Sequence, residues 1–219
     1  VEEYGMNLIY LHGFQSSALS IKGQMLKRYC DESLEEKSRH IHVHLPDLNQ
    51  PPLLALHQVS ELIGQLGPEN TALLGSSLGG FYALQLAARH HIPAVLINPA
   101  MQPWALFRTL FSHQALPYAV TAQWSLDDAQ LNDLEKMSLK KANQPAPVLA
   151  LLQQGDDVLD YRDALCFFSQ PGSNAVVICE TQGSHGMDDF AAKIPMILQF
   201  LSDHVSAAKN LNQSGSHKH

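Results

Sequence analysis

The chain has 219 residues, 45% of them hydrophobic and 16% charged, with 14 Lys and Arg against 21 Asp and Glu for a formal net charge of -7. That acidic balance argues against a nucleic-acid or anionic-membrane partner, since both need a basic face, and no apolar run approaches the roughly 20 residues that cross a bilayer. The length suits one sizeable core, so a single domain over 1–219 is expected.

The opening residues VEEYGMNLIYLHG reach a strand-like run at once, without the basic start and apolar core of a signal peptide. The sequence therefore reads as cytoplasmic, with Val1 to Gly5 ahead of a natural start at Met6. Six short apolar runs follow one another as strands: NLIYLH, HIHVHL, TALLG, AVLIN, VLALLQQ and AVVICE. Between them IKGQMLKRYCDE, PLLALHQVSELIGQL, GGFYALQLAARH, YRDALCFFS and DDFAAKIPMILQFLSDH have helical spacing or length. Alternation of this kind predicts a mostly parallel sheet flanked by helices on both faces. In the second helix Leu53, Leu56, Val59, Ile63 and Leu66 form one stripe behind Pro52, which suits a helix start. The helix after Ser77 is apolar nearly all round and should be buried.

HIHVHL differs from the other strands, because His40, His42 and His44 share one face and only Ile41 and Val43 the other. A central parallel strand is apolar on both faces, so this one belongs at an edge. A metal site would be the functional reading of three histidines on one face, but no carboxylate or cysteine sits nearby at ligand spacing, and no metal is expected. The three cysteines are odd in number and form no C-x-x-C, so neither a disulfide framework nor a zinc knuckle is expected. Cys166 and Cys179 read as small buried hydrophobes. Residues 101–145 show no sheet strand and two helices, MQPWALFRTLF and SLDDAQLNDLEKM, which predict a small helical cap insertion. Trp104, Phe107, Leu110 and Phe111 could line an apolar substrate pocket there, or pack the cap onto the body. Residues 207–219 read as a disordered polar tail.

The stretch LLGSSLGG places two serines and three glycines where the third strand hands over to a helix. Gly75-Ser76-Ser77-Leu78-Gly79 fits G-x-S-x-G, a turn too tight for neighbouring Cβ atoms that exposes its central serine at a helix N-terminus. A serine hydroxyl needs a base to activate it and an acid to hold that base. Both are available later in the chain in the order this turn requires. GDDVLDY after the fifth strand offers Asp156, Asp157 and Asp160, and TQGSHGMDD after the sixth offers His185. Asp156, nearest the strand end, is favoured over Asp157, while Asp160 reads as the cap of the next helix. The Leu78 backbone N–H, oriented by the helix N-terminus, and the Phe14 N–H, in the loop His12-Gly13-Phe14-Gln15, are the expected oxyanion donors.

With LIYLHGFQSS, LGSSLGGFYA, VLINPA, LLQQGDDVLDYRDA and GSHGMDDF in this order, the chain resembles the α/β-hydrolase superfamily, and within it the small YqiA-like bacterial esterases. The resemblance covers nearly the whole chain except 101–145. It implies an α/β-hydrolase fold that begins at the strand carrying LHGF. It also implies esterase activity on short acyl esters, with Ser77, Asp156 and His185 as the triad. The expected activity is a cytoplasmic serine carboxylesterase that works on a small soluble ester through an acyl-enzyme and needs no metal or organic cofactor. An acyl thioesterase using the same triad, or an inactive binding module on the same fold, are the alternatives.

Overall fold

Six runs of residues that alternate between two apolar faces form one parallel sheet. A computed structural model describes residues 5–32, 40–112, 116–142 and 145–215, the last ten of these as backbone alone. In chain order the strands of the large sheet and the helices around them are β1 (Met6–Leu11), α1 (Ile21–Glu32), β2 (Ile41–His44), α2 (Pro52–Leu66), β3 (Thr71–Ser76), α3 (Leu78–His90) and β4 (Ala94–Ile97). An insertion with α4 (Pro103–Leu110), β5 (Tyr118–Ala119), β6 (Ser125–Leu126) and α5 (Asp128–Met137) follows, and then β7 (Val148–Gln153), α6 (Tyr161–Phe168), β8 (Val176–Glu180) and α7 (Phe190–Gly215). The sheet order is β2-β1-β3-β4-β7-β8, with every neighbouring pair parallel. This is the α/β-hydrolase fold, as the motifs led us to expect.

The period of two along each strand sorts the core into two halves. Ile9, Leu11, Leu73, Ala94, Leu96, Val148 and Ala150 point to the side covered by α2, α3, α6 and the insertion. Leu8, Tyr10, Ala72, Leu74, Val95, Ile97, Leu149 and Leu151 point to the side covered by α1 and α7. Helix α3 is buried from Leu78 to Ala87, which accounts for its lack of a polar face. Strand β2 lies at the sheet edge, where its histidines alternate with Ile41 and Val43. His42 is exposed and His44 Nε2 lies 3.0 Å from Asn7 Oδ1.

Four expectations change. The insertion does contain strands, since β5 and β6 pair antiparallel in a separate two-stranded sheet. Each is two residues long, below any length at which alternation is visible. On α2 the buried stripe is Pro52, Ala55, Leu56, Val59 and Ile63, while Leu53 is 52% exposed. The first turn thus buries Pro52 and Ala55 in place of Leu53, a rotation of the stripe that apolar spacing alone did not show. Cys166 on α6 is exposed, whereas Cys179 is half-buried. Finally, α7 continues as helical backbone to Gly215, into the segment expected to be a disordered tail, whose last four residues lie outside the described residues. Ala207, Ala208 and Lys209 are strong helix formers, and extending a packed helix needs no new nucleus.

Candidate active site

Ser77, Asp156 and His185 all follow strands at the carboxyl edge of the sheet, where ligands bind in open α/β folds. Ser77 is the single residue between β3 and α3, held at φ 55° and ψ -118°. The glycines around it are required by contact. A Cβ on Gly75 would stand 2.2 Å from the Gly79 carbonyl oxygen, and one on Gly79 would stand 2.0 Å from that of Leu11. The turn is tied down by its backbone: Ser77 N–H donates to Ile97 O at 3.0 Å, and Ser77 O accepts from Phe81 N–H at 3.2 Å and Ala100 N–H at 3.0 Å.

The structure brings together three of the residues picked out from the sequence. His185 Nε2 lies 3.1 Å from Ser77 Oγ, and its Nδ1 lies 2.8 Å from Asp156 Oδ2. Residues 77 and 185 come from loops 108 positions apart, so only the sheet order can place them side by side. The Asp156 side chain is 2% exposed. Burial pushes its pKa up, but the His185 hydrogen bond and the N–H groups of Leu159 and Val158 outweigh that, leaving it below the ordinary aspartate value. A carboxylate so held keeps the Nδ1–H tautomer of His185 and leaves Nε2 free to accept the serine proton. Asp157 is exposed, and Asp160 caps α6 by accepting the Arg162 N–H.

The two expected oxyanion donors flank Ser77: Leu78 follows it in the chain, and a Cβ on Gly13, next to Phe14, would stand 3.3 Å from Ser77 Cβ. Among the described residues neither the Phe14 N–H nor the Leu78 N–H has a hydrogen-bond partner, so both are free to donate. Leu78 is the first residue of α3, where backbone N–H groups have no intrahelical acceptor. The Phe14 N–H belongs to the Gly13–Phe14 peptide, which a buried side chain fixes from the other end. His12 accepts the Leu48 N–H at Nε2 (2.9 Å), so its proton is on Nδ1, from which it donates to Gly13 O at 2.8 Å. In a trans peptide the N–H points away from its carbonyl oxygen, so this bond also aims the Phe14 N–H. His12 was only a motif letter in the sequence; a buried histidine with both ring nitrogens committed is visible only once folded.

The aromatic residues of the insertion divide. Phe107 packs on Phe14 at 4.5 Å between ring centroids, Phe111 at 6.3 Å, and Phe111 stacks on Tyr118 at 4.1 Å. Gln15 Nε2 donates to Tyr118 Oη at 2.9 Å, so the insertion grips the loop carrying Phe14 at two points. Trp104 does not join them. It packs against Phe81 and under the Lys140 ammonium, in a separate cavity of about 670 Å³ that none of Ser77, Asp156 or His185 lines. Helical spacing placed Trp104, Phe107 and Phe111 on one helix but could not say that two of them turn toward β1 and one toward α3. Among the described residues no group of three His, Cys, Asp or Glu could hold a metal ion, and no helix is long and apolar enough to cross a membrane.

Residues 7–202 match an uncharacterised protein family, UPF0227. The chain belongs to that family. The UPF0227 chain is also similar in fold to solved structures. Est1E from Butyrivibrio proteoclasticus superposes with a TM-score of 0.71 at 14% identity, over 93% of this chain and 90% of that one. A putative hydrolase from Agrobacterium vitis S4 gives 0.69 at 17% identity, over 90% and 88%. The esterase domain of a Rhodothermus marinus protein gives 0.68 at 17%, over 94% and 90%.

Proposed function

We propose that this protein is a serine carboxylesterase that hydrolyses small soluble, short-acyl esters through an acyl-enzyme intermediate. One observation carries the reading: the unbroken line from Ser77 Oγ through His185 to the buried Asp156 carboxylate, at 3.1 and 2.8 Å. Ser77 Oγ attacks the ester carbonyl carbon while His185 Nε2 takes its proton. Charge develops on the carbonyl oxygen, where the Phe14 and Leu78 N–H groups receive it, and Asp156 balances the imidazolium. The imidazolium then protonates the leaving alcohol. A water deprotonated by the same nitrogen attacks the acyl-serine, releasing the acid and restoring the hydroxyl. The steps use side chains and backbone amides alone and call on no metal or organic cofactor.

The fold shared with Est1E and the Rhodothermus esterase domain supports the class of chemistry. An acyl thioesterase would use the same residues, and a catalytically inactive binding module the same fold. Three free cysteines agree with a reducing compartment, and we read the protein as cytoplasmic.

The test is labelling with a fluorophosphonate, read by intact mass on the wild type and on Ser77→Ala, followed by matched oxyester and thioester series of increasing acyl length. One adduct that disappears in the variant, with fastest turnover on short oxyesters, is the expected result. A folded wild type that takes no adduct would overturn the reading in favour of the binding module, and a preference for thioesters would replace it with a thioesterase.

A further inference from the structure

The carboxyl end of β4 carries a side chain that the chemistry above does not use. Asn98 is 3% exposed and sits at φ 39°, a left-handed conformation that asparagine tolerates better than most residues. Its amide is fully committed. Oδ1 accepts the Gln153 N–H at 3.0 Å, and Nδ2 donates to the backbone oxygens of Ser184 at 3.1 Å and His185 at 3.2 Å. Gln153, 2% exposed at the end of β7, holds the same loop from a second side. Its Oε1 accepts the Ser184 N–H at 3.0 Å, while Nε2 donates to Glu180 Oε2 at 2.9 Å and Asp189 Oδ1 at 3.0 Å. Three backbone groups around His185 thus end on two buried amides.

These bonds bear directly on the distance between the two reacting groups. The histidine loop has left-handed residues on both sides, Gly183 at φ 97° and Met187 at φ 50°, and no regular ladder to fix it. The segment that carries Asn98 is bonded to the serine turn as well, through Ile97 O to Ser77 N–H and Ala100 N–H to Ser77 O, both at 3.0 Å. Four consecutive residues therefore hold the peptide of Ser77 and the peptide of His185 at once.

We propose that Asn98 is a positioning residue that sets the His185 imidazole against Ser77, with Gln153 as its second hold on the histidine loop. The proposal rests on the esterase reading for its kinetic consequence, since a misplacement of about 1 Å between reacting groups costs on the order of 10²-fold in rate. Asn98→Asp keeps the shape but turns a carboxylate toward two carbonyl oxygens that need donors. Asn98→Gly accepts the left-handed backbone and removes the amide. Both should lower kcat about 10²-fold, with KM within about threefold of wild type. Thr71→Val, at the opposite end of the sheet, removes the buried Thr71 Oγ1 bond to Gly67 O and serves as a control that should lower Tm and leave kcat unchanged.

The second readout is the downfield proton resonance of His185 Nδ1, which should shift or broaden in both Asn98 variants and stay in place in Thr71→Val. Wild-type kcat and an unmoved resonance in folded Asn98→Asp and Asn98→Gly would overturn the proposal. So would a loss of kcat in Thr71→Val as large as theirs. If neither Asn98 variant folds, Gln153→Met takes their place: a drop of about tenfold in kcat with a shifted resonance supports the proposal, and unchanged values refute it. The resonance reads His185 without turnover. It therefore decides the positioning even if the wild type hydrolyses no ester, a result that would count against the esterase reading alone.

Discussion

Asp156 and Asp157 are adjacent in the chain and opposite in circumstance. Asp156 Oδ1 accepts the N–H groups of Val158 and Leu159 at 2.9 and 2.8 Å, and its Oδ2 meets His185, whereas Asp157 is exposed. Asp156→Asn should therefore cost about 10⁴-fold in kcat by stabilising the wrong histidine tautomer. Asp157→Asn should stay within about twofold of wild type, because it touches no reacting group. Steady-state kinetics of the two variants checks both, and a larger loss at Asp157 would exchange their roles. The same carboxylate has a consequence for acid stability. A group whose pKa is depressed by folding adds stability above its unfolded pKa, about 3.9 for aspartate, and loses it as pH falls through the folded value. Urea melts should thus show wild type losing more stability than Asp156→Asn as pH falls below about 5.

At the scale of elements, the serine turn and the start of α5 show how local rules and tertiary contact divide the work. The Asp127 side chain accepts the Gln130 N–H at 2.8 Å at the start of α5, an interaction contained in four residues. Asp127→Ala should cost about 1 kcal/mol, a fall of about 2–4 °C in Tm. Gly79 is constrained from far away, by the Leu11 carbonyl that a Cβ would strike. Gly79→Ala should cost more than about 3 kcal/mol, because backbone rather than a movable side chain stands in the way. Calorimetry on the two variants would separate the cases, and equal shifts would mean that the turn has room to relax. Gly79 was legible as a turn glycine, whereas the expected helix SLDDAQLNDLEKM ran through Asp127 without marking it as the cap. Only Gly79 needed the fold to explain why it cannot be replaced.

Across the whole molecule, the last strand and last helix are joined by the half-buried Lys193 ammonium. Lys193 Nζ lies 2.5 Å from Glu180 Oε1 and 2.8 Å from Asp189 Oδ2, and Gln153 donates to both of those carboxylates. Glu180 is held below its usual pKa by the Gln153 and Lys193 hydrogen bonds, and Asp189 by Lys193, while burial of Lys193 is outweighed by its two partners, so its pKa is raised. The two acids give up this stability as pH falls through their folded values, and the lysine gives it up as pH rises through its own, so the cluster acts between about pH 4.5 and about pH 10.4. Lys193→Met should lower stability at neutral pH by on the order of 1 kcal/mol, since Glu180 and Asp189 are 37% and 50% exposed and partly screened. The deficit should shrink as pH falls through the depressed folded values of the two acids, and denaturant melts at neutral and at acid pH would show it. A deficit that does not change with pH would assign the loss to packing.

What the sequence by itself determined was whatever is written in neighbouring residues. The continuous apolar runs of β1, β3, β4 and β7, the amphipathic α2, the G-x-S-x-G turn and the alternation that puts β2 at an edge all arise from spacings of a few residues, which fix dihedrals and faces before any distant contact forms. The order serine, acid, histidine was legible for the same reason, because each follows a strand that could be counted. Distance was not. Position after the strand favoured Asp156 over Asp157, but its contact with His185, the departure of Trp104 from Phe107 and Phe111, and the grip of Asn98, Gln153 and His12 on their loops depend on which side chain reaches which group across the sheet edge. The strand order β2-β1-β3-β4-β7-β8 sets those contacts, and no local pattern encodes it. It is chosen by burial of both sheet faces, a property of the assembled chain.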